Sequence, residues 1–400
     1  MAFGTQVRRV ALMVPTMAFA CALSAQAQTN VKIGDHEVDF HGFMQQGFVY
    51  SSGNNFLTMA SDDGSVKMTD GGINVSTKIT GKLRVGTQLY VRSIGQFGAG
   101  HLQLDWAFAD YRLNDYVGFR GGKVKTQLGL INDTQDMEFL HTWALLPQSV
   151  YPLDLRSVTI AHAGGDVYGA VSSKKAGSLA YTVYGGSFPD DKQGGYRYGI
   201  EDLGIDIKSP IKRWGIGTDL RWTAPIEGLQ AGFSRLESYG TFDIAVPGVP
   251  ITLHDDIRPW RTTALYGDFQ KERWHFSGEF RRSSFTARSS PALSPETSTT
   301  SDGWFASAAY RIARPVEVGG YYTRYVANIA LDAGEPSNHI SGPVATTRID
   351  LSKYVSVKVE GHFMDGYGSN ISPHGFYVRD NLGGFANTTN MLVIRTAVSF

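Results

Sequence analysis

The sequence predicts an all-β chain closed into a transmembrane antiparallel β-barrel, and three observations carry that expectation. Period-two alternation recurs in runs of about ten residues, as in strands with one lipid face and one polar face. No stretch supplies the ~18 consecutive apolar residues of a spanning helix. Short polar turns alternate along the chain with longer polar stretches, as in barrels with tight turns at one rim and long loops at the other.

The runs are specific. Leu83, Val85, Thr87, Leu89 and Val91 alternate with Lys82, Arg84, Gly86, Gln88, Tyr90 and Arg92. Leu102, Leu104, Trp106 and Phe108 alternate with Gln103, Asp105, Ala107 and Ala109. Trp214, Ile216, Thr218, Leu220 and Trp222 face away from Arg213, Asp219 and Arg221. Trp274, Phe276, Gly278 and Phe280 oppose His275, Ser277, Glu279 and Arg281, and Val355, Val357 and Val359 oppose Ser356, Lys358 and Glu360. Short connections fall near 80–81, 114, 174–177, 225–228, 271–272, 313–314 and 352–353. Longer polar stretches cover 51–70, 188–212, 240–259, 286–301, 327–341 and 365–387. The alternation implies about 16 strands, within a range of roughly 14 to 18. The least regular stretch is 195–208, where Ile200, Leu203, Ile205 and Ile207 fit an additional strand. The Ser-, Thr- and Pro-rich 286–301 reads as a solvated outer loop.

Composition agrees. Charged residues make up 18% of the 400, aromatics 12%, and glycines number 46. That charge content is below the roughly 25% of soluble domains. Lys+Arg and Asp+Glu both total 37, which gives no support for a nucleic-acid partner. Residues 1–27 read as a cleaved signal peptide: Arg8 and Arg9, an apolar run over 10–23, then Ala25-Gln26-Ala27. Residues 28–400 then form a single barrel domain. Cys21 is the one cysteine and lies inside the leader, after an Ala18-Phe19-Ala20 that matches a lipobox poorly. Without it, disulfides, thiolate metal sites and cysteine nucleophiles are excluded together. No metal or cofactor is expected.

The chain ends as a strand. Leu392, Ile394, Thr396, Val398 and Phe400 alternate with Met391, Val393, Arg395, Ala397 and Ser399. This resembles the closing strand of Gram-negative outer-membrane porins, where the terminal aromatic is read by the barrel-assembly machinery. That resemblance makes Phe400 an assembly signal and outer-membrane lipid the surroundings. Phe40-His41-Gly42-Phe43 and the run from Gly118-Phe119-Arg120-Gly121-Gly122-Lys123 to Val124-Lys125-Thr126-Gln127-Leu128-Gly129-Leu130 are similar to the phosphate-selective porin O/P and DcaP-type porins. The resemblance implies a homotrimer of 16-stranded diffusion channels for anionic nutrients, phosphate or organic carboxylates. The sequence departs from phosphate-specific members in lacking a dense arginine ladder.

Alternation assigns Lys78, Lys82, Arg84, Arg92, Lys123, Lys125, Arg213, Arg221, Arg281, Arg348, Lys358 and Arg395 to the lumen, with Asp105, Asp219, Glu279, Asp350 and Glu360 beside them. Charged groups lining a water-filled barrel set its ion preference, and here basic positions outnumber acidic ones. Small anionic solutes are therefore expected. The loop after the fifth strand, 131–157, is the candidate constriction, with Asp133, Asp136, Glu138 and Asp154 beside His141, Trp143, Tyr151 and Arg156. Acids facing a basic wall across an aperture give a transverse field; the same acids could equally pin the loop to the wall. Two other classes compete. A barrel enzyme of protease or lipase type needs a histidine relayed to a nucleophile at the rim, and no H-E-x-x-H, G-x-S-x-G or Walker pattern occurs. A soluble all-β binding protein needs an apolar interior, which the charged inward stripes deny it.

Overall fold

The computed structural model describes residues 29–291, 296–368 and 374–400; the expected leader, with Cys21, lies outside them. The described residues form a closed antiparallel barrel of 16 spanning strands. In chain order these are β1 (His36–Ser52), β2 (Ser65–Lys78), β3 (Leu83–Ile94), β4 (Leu102–Arg112), β5 (Gly118–Lys125), β6 (Ala161–Ser173), β7 (Gly177–Phe188) and β8 (Lys212–Thr223). They continue as β9 (Leu229–Ala245), β10 (Leu253–Lys271), β11 (Trp274–Ser290), β12 (Thr297–Ala313), β13 (Val316–Val326), β14 (His339–Asp350), β15 (Val355–Asp365) and β16 (Thr388–Ser399). Each strand pairs with its successor and β16 pairs with β1. Closure satisfies every ladder, the condition for strands to cross lipid.

The chain ends share one row of that closure. Thr29–Ile33 pairs with the start of β1, from Phe40 back to His36, and β16 takes over the same edge from Phe43 onward. At the join, Phe400 and Gly42 exchange two backbone hydrogen bonds, of 2.9 and 3.1 Å. A Cβ on Gly42 would stand 2.3 Å from the Phe400 ring. The final phenylalanine thus covers the only residue type that admits it.

Burial runs opposite to a soluble sheet. Along β8, Trp214, Ile216, Leu220 and Trp222 are exposed, while Gly215, Gly217 and Asp219 are buried. Outward aromatics stack on the same surface, Trp214 on Tyr239 at 4.9 Å and Trp274 on Phe276 at 5.5 Å. Such an apolar exterior is a lipid-facing belt.

Three expectations are corrected. The 195–208 stretch holds no spanning strand: Gly195–Asp202 is a helix, and Asp206–Ile207 only bridges to Ile244 and Ala245 at the top of β9. The polar stretches 240–259 and 286–301 are mostly wall, because β9, β10, β11 and β12 run on to Ala245, from Leu253, to Ser290 and from Thr297. Hydroxyl pairs such as Thr286 with Ser298 continue that ladder, so polarity there marks strands standing proud of lipid. Between β3 and β4 the register slips at Gln88 and Leu89 of β3, so that Gln88 faces Trp106 while Leu89 faces Leu104. Asp105 bulges, and beyond it Trp106, Phe108 and Asp110 share the inward row while Ala107 and Ala109 turn outward.

Candidate functional site

The longest ordered connection, 126–160 between β5 and β6, lies inside the barrel. Gly129 carries it across: its N–H donates to the Ser234 hydroxyl of β9 at 2.8 Å, and its φ is +78°. A Cβ there would come 2.2 Å from the Glu279 carboxylate of β11. The segment contains only single turns, Glu138–Leu140, Leu153–Leu155 and Arg156–Thr159. Its backbone groups therefore need partners from elsewhere, and the wall supplies them.

One anchor is on β3 to β5. Arg156 donates to both oxygens of Asp105, at 3.0 and 2.9 Å, and lies 4.0 Å from the Tyr90 ring centre. Asp136 accepts from Gln88 at 2.6 Å and Lys125 at 2.7 Å. Arg92 donates to the Ser157 hydroxyl at 3.2 Å and to Asp191 at 2.8 Å. A second anchor is on β14 to β16. The Lys358 ammonium donates to the Glu138 carboxylate at 2.9 Å and to the carbonyls of Glu138 and Trp143 at 2.8 and 2.9 Å. Arg395 donates to the Ala144 carbonyl at 3.0 Å and to Asp70 at 2.7 Å, with Glu138 at 3.2 Å. Glu360 accepts from the N–H groups of Ala144 and Leu145, and Arg348 donates to the His141 carbonyl. The third anchor is on β8 to β11. Arg281 donates to the Val150 carbonyl at 2.7 Å and pairs with Glu279, which also accepts the Tyr151 hydroxyl; Arg221 reaches the Gly129 carbonyl. The loop is thus a bridge tied to opposite walls.

The remaining predicted residues have other places. Trp143 packs edge-on against Tyr321 at 5.0 Å. Asp133 accepts from Gln127 at 3.3 Å. Asp154 turns toward the outer segment that carries Gly375 and Tyr377, accepting the Tyr377 hydroxyl at 2.6 Å and the Gly375 N–H at 3.1 Å. Lys78, Lys82 and Arg84 are exposed at the short-turn rim, Lys82 in the turn itself rather than on a strand. Lys123 pairs across from Ala107 and Ala163, and its ammonium caps the Leu104 carbonyl at 2.5 Å instead of reaching the loop.

Loop charge states follow from these contacts. Burial pushes the carboxyl groups of Asp136 and Glu138 up, but Lys125 and Arg156 around the one, and Arg395 and Lys358 around the other, hold both below the usual carboxylate range. Burial raises Asp154 to about 6, and among the described residues no cation pairs with it. Burial also lowers His141 to about 4, although its ring bonds the Thr134 carbonyl.

The count of basic positions therefore overstates the charge on offer. Arg92, Lys125, Arg221, Arg281, Arg348, Lys358 and Arg395 each lie within 4.0 Å of a carboxylate. Asp70, Gln88 and Tyr90 complete the anchors and were not singled out from sequence, although all three occupy inward positions of alternating strands. His162 bonds the Thr126 hydroxyl at 3.0 Å, but its other ring nitrogen meets no partner, so no relay is built there.

Above the bridge, one half of the mouth is sealed. Phe56, Leu57, Phe97, Phe376 and Tyr377 from the outer loops pack on Leu145 of the bridge. The other half, over β8 to β12, keeps a cavity of about 290 Å³. Below the bridge, a space of about 660 Å³ lies between Glu138, Arg348, Tyr354 and Ser399.

Solved structures share this architecture. OmpT, an outer-membrane protein of Vibrio cholerae, superposes with a TM-score of 0.57 at 10% identity over 93% of this chain and 99% of its own. The outer-membrane channel DcaP of Acinetobacter baumannii gives 0.56 at 12%, over 94% and 100%. An anion-selective porin from Comamonas acidovorans gives 0.55 at 14%, over 92% and 100%. The fold is that of the outer-membrane porins. No protein-family model and no curated protein sequence matches the chain. At such identities, the porin likeness is one of architecture and carries no side-chain role across.

Proposed function

We propose that this chain is a passive diffusion porin of the outer membrane, exported by a leader cleaved after Ala27, assembled through its terminal Phe400, and working as a homotrimer that prefers small anions. One observation carries the reading: a loop crosses the lumen of a closed 16-strand barrel and is tied to opposite walls by ion pairs and hydrogen bonds. A barrel of that size without an obstacle holds a wide aqueous channel, and a tied loop narrows it to a size filter.

Anion preference rests on the cations left without an ion pair. Arg213 on the inner wall, and Lys78, Lys82 and Arg84 at the rim, form none among the described residues, whereas Lys123 shares the outward face of Ala107 and Ala163 and adds nothing to the lumen. The paired cations contribute field only locally. Phosphate and organic carboxylates are the solute classes this favours. OmpT of Vibrio cholerae, of like fold, has been solved in a trimer form, which supports the homotrimer. Single-channel recording in a planar bilayer tests the reading. Three equal conductance steps, with chloride carrying more current than potassium under a KCl gradient, are expected. A cation-selective pore would overturn the anion preference, and a silent protein the porin role.

A further inference from the structure

The open half of the mouth is lined unlike the rest of the lumen. The upper parts of β9 and β10, with Ile211 just ahead of β8, carry Ile211, Phe242, Ile244, Leu253 and Ile257 as one buried apolar cluster. Tyr196, from the helix Gly195–Asp202, lies 6.0 Å from Trp260, and Trp260 lies 5.4 Å from Phe285, so three rings line one side. These positions point to the lumen, where water rather than lipid is the neighbour, and a porin wall gains nothing from apolar rings there. A concavity of about 290 Å³ that carries this apolar cluster and these rings, with hydroxyls such as those of Ser238, Thr262 and Ser283 between them, has the character of a small-molecule site.

Two cations line the same cavity, and one of them has no carboxylate partner among the described residues. Arg213 stacks its guanidinium 4.5 Å over the Phe188 ring and donates to the Val158 carbonyl of the bridge. Its Nε is buried without a hydrogen-bond partner, and no carboxylate of the described residues pairs with it. A buried, unpaired guanidinium is costly and is best offset by an anion that arrives from solution. Asp255 also lines the cavity, but its carboxylate is engaged by the Ser289 hydroxyl. Arg281, the other cation of the lining, is already paired with Glu279.

We infer that this cavity is a binding station for aromatic monocarboxylates, the ring held among Tyr196, Trp260 and Phe285 and the carboxylate met by Arg213. The inference rests on the porin reading for its purpose, since a station beside the bridge would load such solutes into the channel, but the site stands on its own lining. One charge is matched, not two: a second carboxylate would be buried against Phe242 and Ile257.

Two measurements separate the site from the pore. Calorimetry on the detergent-refolded protein, with benzoate, acetate and benzyl alcohol as probes, reads the site whether or not the channel conducts. Benzoate is expected to bind at least tenfold more tightly than either acetate or benzyl alcohol. Trp260→Ala should weaken benzoate about tenfold and leave acetate unchanged. Arg213→Gln should remove the advantage of benzoate over benzyl alcohol, and Arg213→Lys should restore part of it, which a merely structural role for Arg213 would not do. Equal affinities for benzoate and acetate in the native protein, or a Trp260→Ala variant that binds benzoate as before, would overturn the inference. Bilayer current reports separately on the porin reading: a conducting pore that benzoate does not block faster than acetate contradicts the station, and a silent protein that binds benzoate contradicts only the pore.

Discussion

Arg156 of the bridging loop and Asp105 of the β4 bulge face one another through two parallel hydrogen bonds, both side chains almost wholly removed from solvent. Asp136 stands 3.9 Å from the same guanidinium. The pair converts a chain irregularity, the slipped register at Asp105, into the point where the lumen is narrowed. Without the bulge, Asp105 and Trp106 could not both face the interior.

Truncating Arg156 should be among the most damaging single changes. Arg156→Ala leaves Asp105 buried and uncompensated, for which a loss of about 3–5 kcal/mol is expected. Replacing both partners with apolar residues of similar volume, Arg156→Met with Asp105→Leu, should recover much of it. Urea unfolding of the detergent-refolded variants checks both, and a single variant as stable as the native protein would contradict the assignment.

Neutralising the loop acids should shift selectivity. Asp136→Asn and Glu138→Gln release Lys125 and Lys358 from their carboxylates and leave Arg395 with Asp70 alone, while the bridge keeps its backbone bonds. Reversal potentials should move toward chloride. Movement toward potassium would mean that these cations do not face the permeation path.

Acid should act on the bridge through two groups of opposite sign. Asp154 has a folded pKa of about 6 against 3.8 ordinarily, so the protonated form is favoured in the fold. Its contribution is fully present below pH 3.8, is lost as pH rises through about 6, and amounts to at most about 3 kcal/mol. His141, lowered to about 4 from 6.5, contributes above pH 6.5 and loses that contribution as pH falls through about 4. Asp154→Asn should therefore raise stability at pH 7 to 8 and leave only the acid-side loss. His141→Phe should remove that loss. Melting curves from pH 4 to pH 8 resolve the two, and an unchanged pH profile in Asp154→Asn would refute the first.

The closing seam predicts an assembly defect. Gly42→Val puts a branched side chain where the Phe400 ring lies, and overpacking of this kind costs about 1–3 kcal/mol. The folded, heat-modifiable form should appear in lower yield on gels. Phe400→Ala in the same background should restore the yield in vitro if steric conflict is the cause.

Much of this architecture was legible because a lipid face and a water face impose period two, and that period is written in the side chains. Leu83 to Val91 and Met391 to Phe400 show it plainly, and the short turns fell where the structure has them. The β4 run misled beyond Asp105, because a bulge shifts parity without changing composition. The outer ends of β9 to β12 read as loops because wall above the bilayer no longer needs an apolar face. The candidate loop was found from its acids and its position, but its anchorage was not. Alternation says which side a lysine is on, not whether a carboxylate from a distant segment, as Glu138 for Lys358, has already neutralised it.

The most direct test of the account is the single-channel conductance of a variant in which residues 132–150 are replaced by a short Gly-Ser linker. If the bridge sets the aperture, conductance in 1 M KCl should rise several-fold and large uncharged solutes should begin to pass. Conductance equal to that of the native pore would contradict the account, and would move the narrowing to the strand side chains themselves.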